Sequence, residues 1–214
     1  IVSRRQRQMC IRDSIYIQVF VDECTRFVWV ETFKSRTYAD FSEMLERAEH
    51  RIRAQHEESK EYSDTDMTGR GRPVMRYFSD QAAEMVNIRQ RTRLAKNFIS
   101  MTVISPAAKL SNGLAERANR SLLDISRSLL VGAELPLVFW AEAFRMAANI
   151  YNRTGHTANR GKSPYEMYYG EPPRDMSRIK VFGCKCFTHE EKTRRKEKSK
   201  LNATSRPCIY MGMS

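Results

Sequence analysis

Two carboxylates, a scattered set of thiols and one dense run of cations are the residues of this 214-residue chain whose types and spacing could do chemistry. Asp80 closes an apolar run, Val74 to Ser79, that reads as a short strand. Glu116 falls in the first turn of a helix entered through a Gly-containing loop. Strand ends and helix starts are where α/β folds gather their ligands. Each residue also has a plain structural role. Asp80 could N-cap the helix that follows, and Glu116 could favour the helix dipole and pair with Arg120 at i,i+4. Pattern alone favours the plain roles.

The five cysteines are Cys10, Cys24, Cys184, Cys186 and Cys208. An odd, uneven set in a chain of this length is not a disulfide framework and points to a reducing, intracellular compartment. Cys184, Cys186, His189 and Cys208 raise the question of zinc, but their spacing departs from the common paired motifs. Cys184 and Cys186 also share one face of a strand, where Cys packs as a small hydrophobe. No zinc site is expected. The densest cationic run holds Lys192, Arg194, Arg195, Lys196, Lys198 and Lys200, preceded by Lys180 and Lys185. Such a cluster suits phosphate contacts, which supply affinity without sequence choice. A solvated loop is the plain alternative.

The elements that must position these residues follow from periodicity. Residues 15–21 and 27–33 are β-branched and aromatic, and Asp22 to Arg26 separate them as a hairpin turn. Thr37 with Asp40 marks a capping-box start, and Tyr38, Phe41, Met44, Leu45, Ala48 and Ile52 predict a helix over 38–55. Residues 57–73 read as a polar surface loop, 83–94 as a short helix and 98–104 as a further strand. Leu114, Ala118, Leu122, Ile125 and Leu129 predict a long helix at 114–131. Another runs from Leu137 to Asn152, and Ser163-Pro164 starts a short one ending at Gly170. Residues 171–177 read as a linker. Beyond it 179–187 alternate with period two, and 208–212 form a second short strand.

The chain carries 37 basic and 25 acidic residues, a net charge of +12. Residues 1–14 hold +3, residues 178–214 hold +7, and the long middle only +2. The middle is therefore a near-neutral globular domain between basic ends, the kind of ends that contact nucleic-acid phosphates or simply stay solvated. No apolar run approaches the ~18 residues of a membrane span. Residues 1–14 are Arg-rich and show no strand or helix period. They resemble translated adapter sequence, and the expectation is a non-native or disordered segment outside the fold.

Asn112 to Leu123 closely resembles the NGxAERxNRxLL signature of copia-type retrotransposon integrases. Ser79 to Met85 resembles that family's SDNGGEF, and Val21 to Arg26 its FxDDxSR turn. Leu135-Pro136 with Phe139 to Ala143 resembles its LPxxFWxEA. Asn152-Arg153 with Gly161 to Glu166 and Gly170 resembles its NR…GxTPYExxxG, and Val181 to Cys184 the RVFGC that opens a following small barrel. Six motifs in register cover residues 15–214. A cellular ribonuclease H-like nuclease would leave the LPxxFWxEA and NR…SPYE segments unexplained.

The resemblance implies an α/β, ribonuclease H-like fold: a mixed five-stranded sheet flanked by helices, over residues 15–170. A partial Src-homology-3-like β-barrel would follow over 178–214. It implies DNA integration by polynucleotidyl transfer with an Asp-Asp-Glu set and Mg²⁺ or Mn²⁺. Two such ions about 3.5–4 Å apart can stabilise attacking and leaving oxygens together, and Mg²⁺ prefers oxygen ligands. Asp80 and Glu116 inherit the catalytic and metal-ligand roles. Lys109, Asn112, Arg117, Asn119 and Arg120, with the 192–200 cluster, inherit DNA contact. Expected partners are element cDNA ends and target DNA, with a homo-oligomer when intact, no membrane, and a nuclear or particle location.

The match fails at the first Asp. The family carries it on a strand before the hairpin that begins at Ile15. The only upstream acid is Asp13, two residues away, and Asp22 matches a non-catalytic position. The expectation is an N-terminally truncated core without its first strand, inactive as it stands. The alternative is a nucleic-acid-binding remnant that never joins DNA. Gln81-Ala82-Ala83 in place of Asn-Gly-Gly and Ala107 to Leu110 in place of Tyr-Thr-Pro-Gln are smaller departures.

Overall fold

The computed structural model describes residues 2–7, 16–35, 37–57, 76–79, 87–103, 113–174, 176–189 and 204–212. Strands β1 (Val2–Arg7), β2 (Tyr16–Val21), β3 (Val28–Phe33), β4 (Arg76–Ser79) and β5 (Ser100–Val103) form one sheet in the order β3-β2-β1-β4-β5. The first two pairings are antiparallel, and β1–β4 and β4–β5 are parallel. The hairpin is held at its turn, where Asp22 Oδ2 accepts from the Thr25 N–H at 2.8 Å and from its hydroxyl at 2.7 Å. An Asp side chain closing on its own backbone in this way is a turn signal.

Alternation in β2 and β3 sends side chains to two cores. Ile17, Val19, Val21, Val28 and Val30 face one layer, made by helices α3 (Gly113–Gly132) and α4 (Trp140–Arg153). Phe20, Trp29 and Phe33 face the other, made by α1 (Tyr38–Glu57) and α2 (Ile88–Lys96). Thr37 caps α1 through its Oγ1, which accepts from the Asp40 N–H at 3.3 Å. Of its predicted stripe, Phe41, Met44, Leu45, Ala48 and Ile52 are fully buried and Tyr38 is half-buried. Burying each of the four larger side chains contributes roughly 1.5–3 kcal/mol, far more than any helix propensity in this charged sequence. Ser163 caps the short α5 (Pro164–Tyr169), accepting from the Glu166 N–H at 3.1 Å, and Gly170 ends it at φ +74°.

Of residues 1–14, expected to lie outside the fold, 2–7 form a strand, and residues 8–14 lie outside the described residues. Val2–Arg7 occupies the centre of the sheet, pairing with β2 along all six residues and with β4 at Val2–Phe78. The physical reason is backbone, not side chain. A gap between β2 and β4 would leave two rows of N–H and C=O groups unpaired, and any extended segment tethered beside β2 can satisfy them. What the strand lacks is a carboxylate: its sequence is VSRRQR.

A second, two-stranded sheet pairs β6 (Lys185–His189) with β7 (Ser205–Ile209). Its approach segments join the main core, where Phe182 is buried and Ile179, Tyr210 and Met211 pack against the α3–α4 layer. The Tyr38 helix runs two residues beyond its predicted end at 55, to Glu57, and the strand predicted at 74–79 is described over Arg76–Ser79. Residues 58–73 of the predicted loop and 83–86 of the predicted helix fall outside the described residues. No helix among the described residues is long and apolar enough to cross a membrane.

Candidate nucleic-acid interface

Glu116 stands exposed in the first turn of α3, a helix that packs on β1 and β2. The apolar stripe Ala115, Ala118 and Leu122 turns toward the sheet and leaves Glu116, Arg117 and Arg120 on the outer surface. The guanidinium of Arg117 folds back over the helix start, 3.5 Å from where a Cβ on Gly113 would lie. Asp80 follows β4 directly in sequence but lies outside the described residues, as do Lys109, Asn112, Lys192, Arg194, Arg195, Lys196, Lys198 and Lys200.

Asn119, expected as a DNA contact, is only 6% exposed, and neither atom of its amide has a hydrogen-bond partner among the described residues. At one helical turn from Ala115 and Leu122 it belongs to the sheet-facing stripe. An orphaned buried amide costs about 1–3 kcal/mol, so it marks a place where a polar partner is missing.

Arg26 ends the hairpin turn and Tyr151 lies near the end of α4. The structure brings both into the neighbourhood of Arg117. Burial pushes the Tyr151 hydroxyl up, while the nearby Arg26 and Arg117 cations pull it down. Tyr151 also packs against His156, ring centroids 4.2 Å apart and the planes tilted by 46°. Arg26 sits in the left-handed region at φ +66° as the hairpin turns, and Asn159 fixes that turn by donating to the Thr25 carbonyl at 2.8 Å. The α3 start, the hairpin turn and the α4 end thus form one cationic, aromatic-backed surface. No sequence spacing could reveal it, because its members come from three separate elements.

A second basic feature runs along the sheet edge. A groove of about 620 Å³ follows β3 and is lined by Arg51, Arg145, Arg153 and Tyr165 among others. A hollow of about 530 Å³ adjoins it with Lys34 and Arg47. Arg47 and Arg51 are spaced i,i+4 on α1, and Arg145, Asn149 and Arg153 recur at that spacing on α4, a legible signal that sequence reading passed over. Glu31, 5% exposed, sits among these cations. Burial raises its carboxyl above 4.5 against the pull of Arg51, Arg47 and Arg145. Arg51 approaches its Oε1 to 2.8 Å, yet that oxygen accepts no well-aligned hydrogen bond. Charge contact without alignment is why burial wins.

Asn152 clamps the same edge. Its Oδ1 accepts from the Val28 N–H and its Nδ2 donates to the Val28 carbonyl, both at 2.8 Å. Arg153 then lies over the Tyr165 ring, 5.2 Å from the centroid. The Asn152-Arg153 pair noted in sequence therefore ties α4 to strand and helix neighbours.

A two-metal site needs carboxylates converging from separate elements. Among the described residues no three His, Cys, Asp or Glu side chains gather to hold a metal. Asp80 and Glu116 are the chain's two matching acids, and the sheet's central strand offers Arg4, Arg5 and Arg7 in place of a third. Of the expected carboxylates the described residues hold Glu116, while Asp80 lies outside them.

No protein-family model matches the chain. It is 28% identical over 205 residues to a retrovirus-related Pol polyprotein from transposon RE2 of Arabidopsis thaliana, covering 93% of this chain and 12% of that protein. It is 28% identical over 202 residues to the Pol polyprotein from transposon TNT 1-94 of Nicotiana tabacum, covering 92% and 13%. The chain is thus similar to a part of retrotransposon Pol polyproteins. Among solved structures, the HTLV-2 integrase catalytic core domain in complex with magnesium aligns at TM-score 0.57 and 15% identity, covering 78% of this chain and 93% of that one. The simian T-cell lymphotropic virus intasome in complex with a PP2A regulatory subunit aligns at TM-score 0.61 and 16% identity, covering 96% and 66%. The fold of this Pol-related chain is accordingly that of an integrase catalytic core, ribonuclease H-like. It spans about an eighth of the length of the Pol polyproteins it matches.

Proposed function

We propose that the chain is a copia-type integrase core fragment that, as it stands, holds nucleic acid without joining it. The observation that carries this reading is the central strand, which has a backbone partner on each side and no acid. The parent protein would insert element cDNA into target DNA with Mg²⁺ or Mn²⁺, as an oligomer. In this chain Glu116 and Asp80 keep their positions in sequence without a third carboxylate. Arg117 and Arg120, with Arg26 nearby, would take phosphates at the α3 end. The 192–200 cluster would add sequence-independent contacts from the partial barrel.

The test pairs two assays on the full chain. Incubated with labelled duplex ends and Mg²⁺ or Mn²⁺, it yields no more joined product than Glu116→Gln. Robust Mg²⁺-dependent joining that Glu116→Gln abolishes would overturn the reading. Duplex binding measured across salt gives a linear log–log slope. Neutralising Lys192, Arg194, Arg195 and Lys196 reduces that slope by about 3–4 if each contacts a phosphate. An unchanged slope removes the cluster from the interface.

A further inference from the structure

Cys186 on β6 and Cys208 on β7 are directly opposed in the register of the small sheet. Both are free thiols, half-buried, with Sγ atoms 3.1 Å apart. The ladder fixes what kind of pair this is. The Tyr210 N–H donates to the Cys184 carbonyl at 2.9 Å, so Cys184 and Tyr210 form a hydrogen-bonded position. Two residues along, Cys186 and Cys208 repeat that position, and the intervening pairs are non-hydrogen-bonded. Pro207, which has no N–H to donate, falls at one of those, opposite Phe187. Residues at a hydrogen-bonded antiparallel position have Cα atoms about 5.5 Å apart. That lies inside the roughly 4.4–6.8 Å that a disulfide spans. Closing the Sγ gap to about 2.05 Å is then a matter of side-chain rotation by about 1 Å, not backbone movement.

We propose that Cys186 and Cys208 are a disulfide-forming site that reacts with small disulfides of the oxidised glutathione class. A thiolate of the pair attacks one glutathione sulfur, forming a mixed disulfide and releasing one glutathione thiolate. The opposed cysteine attacks the protein sulfur of that mixed disulfide, closes the Cys186–Cys208 bond and releases the second. The two protons lost by the cysteines end on the two glutathione thiols, so two electrons pass from protein to reagent. The hydrogen bond with Cys208 holds the Cys186 thiol up at about 11, with burial adding to it. Closure is therefore slow near neutrality and quickens as pH rises.

The bond would close a loop over residues 187–207, which contain all six cations of the 192–200 cluster. A lone two-stranded sheet is marginal in water, so a covalent tie between its strands acts where pairing is weakest. In a strongly reducing glutathione pool the pair stays open, and its closure tracks the pool. This site stands on β6–β7 geometry alone and does not depend on the nucleic-acid reading.

The test uses the full chain with oxidised glutathione, read by intact mass and by mapping of cross-linked peptides. The wild type loses two hydrogens at the pair, keeps no glutathione on Cys186 or Cys208 and yields the 186–208 link. Cys208→Ser and Cys186→Ser each retain one glutathione at the remaining partner, and Cys184→Ser closes like the wild type. Amide exchange over 185–189 and 205–209 slows on oxidation, and does not in Cys208→Ser. A wild type that keeps glutathione without closing, or that links through Cys10, Cys24, Cys184 or a second molecule, overturns the proposal.

Discussion

Replacing Asn152 by Ala removes two hydrogen bonds, both to Val28, that tie the end of α4 to the open edge of the sheet. The bonds are 2.8 Å each and join residues 124 apart in sequence, so nothing local can replace them. Asn152 is 5% and Val28 2% exposed, so the freed N–H and C=O of Val28 are left in a dry setting. Two orphaned backbone groups at about 1–3 kcal/mol each set the range at roughly 2–6 kcal/mol. The groove along β3 is lined by both residues and admits water, which holds the expected loss to the lower end, about 2–3 kcal/mol. For a chain of this size that is a fall in Tm of about 5–10 °C. Urea denaturation followed by far-ultraviolet circular dichroism measures it, with an unchanged m-value as the check that the unfolded state is the same. Asn149→Ala, one turn earlier on the helix, is the control, since it loses only contacts within α4. A loss below about 0.5 kcal/mol for Asn152→Ala would mean that surface water satisfies Val28 as well as the amide does, and the clamp argument would fail.

Glu31 gives a pH signature. Burial raises its folded pKa above 4.5, so the folded state holds this proton more tightly than the unfolded chain. That stabilising contribution is complete below the unfolded value and is lost as pH rises through the raised folded one. Glu31→Gln, which cannot ionise, should gain on the wild type across denaturation curves taken from about pH 4 to 8; a constant difference would show that the carboxyl is not shifted. Asn119→Leu exchanges an orphaned amide for an apolar group of similar size and should stabilise the fold by about 1 kcal/mol. A marked destabilisation would reveal a polar partner for that amide. Gly183 sits at φ +82°, and a Cβ there would lie 2.5 Å from the Cβ of Ala133. Gly183→Ala should therefore cost more than about 1 kcal/mol in chemical denaturation, and a neutral result would mean that the segment swings clear of α3.

The helices and the hairpin were legible because their signals are local. Thr37 and Ser163 each cap the helix they precede, and the Phe41 to Ile52 stripe is buried as its spacing predicts. Asn119 was legible too, since the sheet-facing period of α3 includes it; the motif match drew attention away from its helical face. β1 was not. Its six residues carry no apolar alternation, and their place depends on two strands that start 14 and 74 positions further along the chain. Pairing of that kind depends on what the sheet leaves open, which no window of sequence contains. The surface shared by Arg26, Arg117 and Tyr151 was hidden for the same reason.

The central position of Val2–Arg7 also decides how the sheet fails. Every link between the β3-β2 hairpin and the β4-β5 pair runs through that one strand. Proteolysis ahead of Tyr16 would therefore divide the layer into two halves, each with a fresh unpaired edge, while the cores on either side stayed largely intact. Two such edges on one molecule are templates for pairing with another. Loss of the first few residues should thus show as self-association rather than as unfolding. Preparations of this chain would be judged soundest by an intact N-terminus.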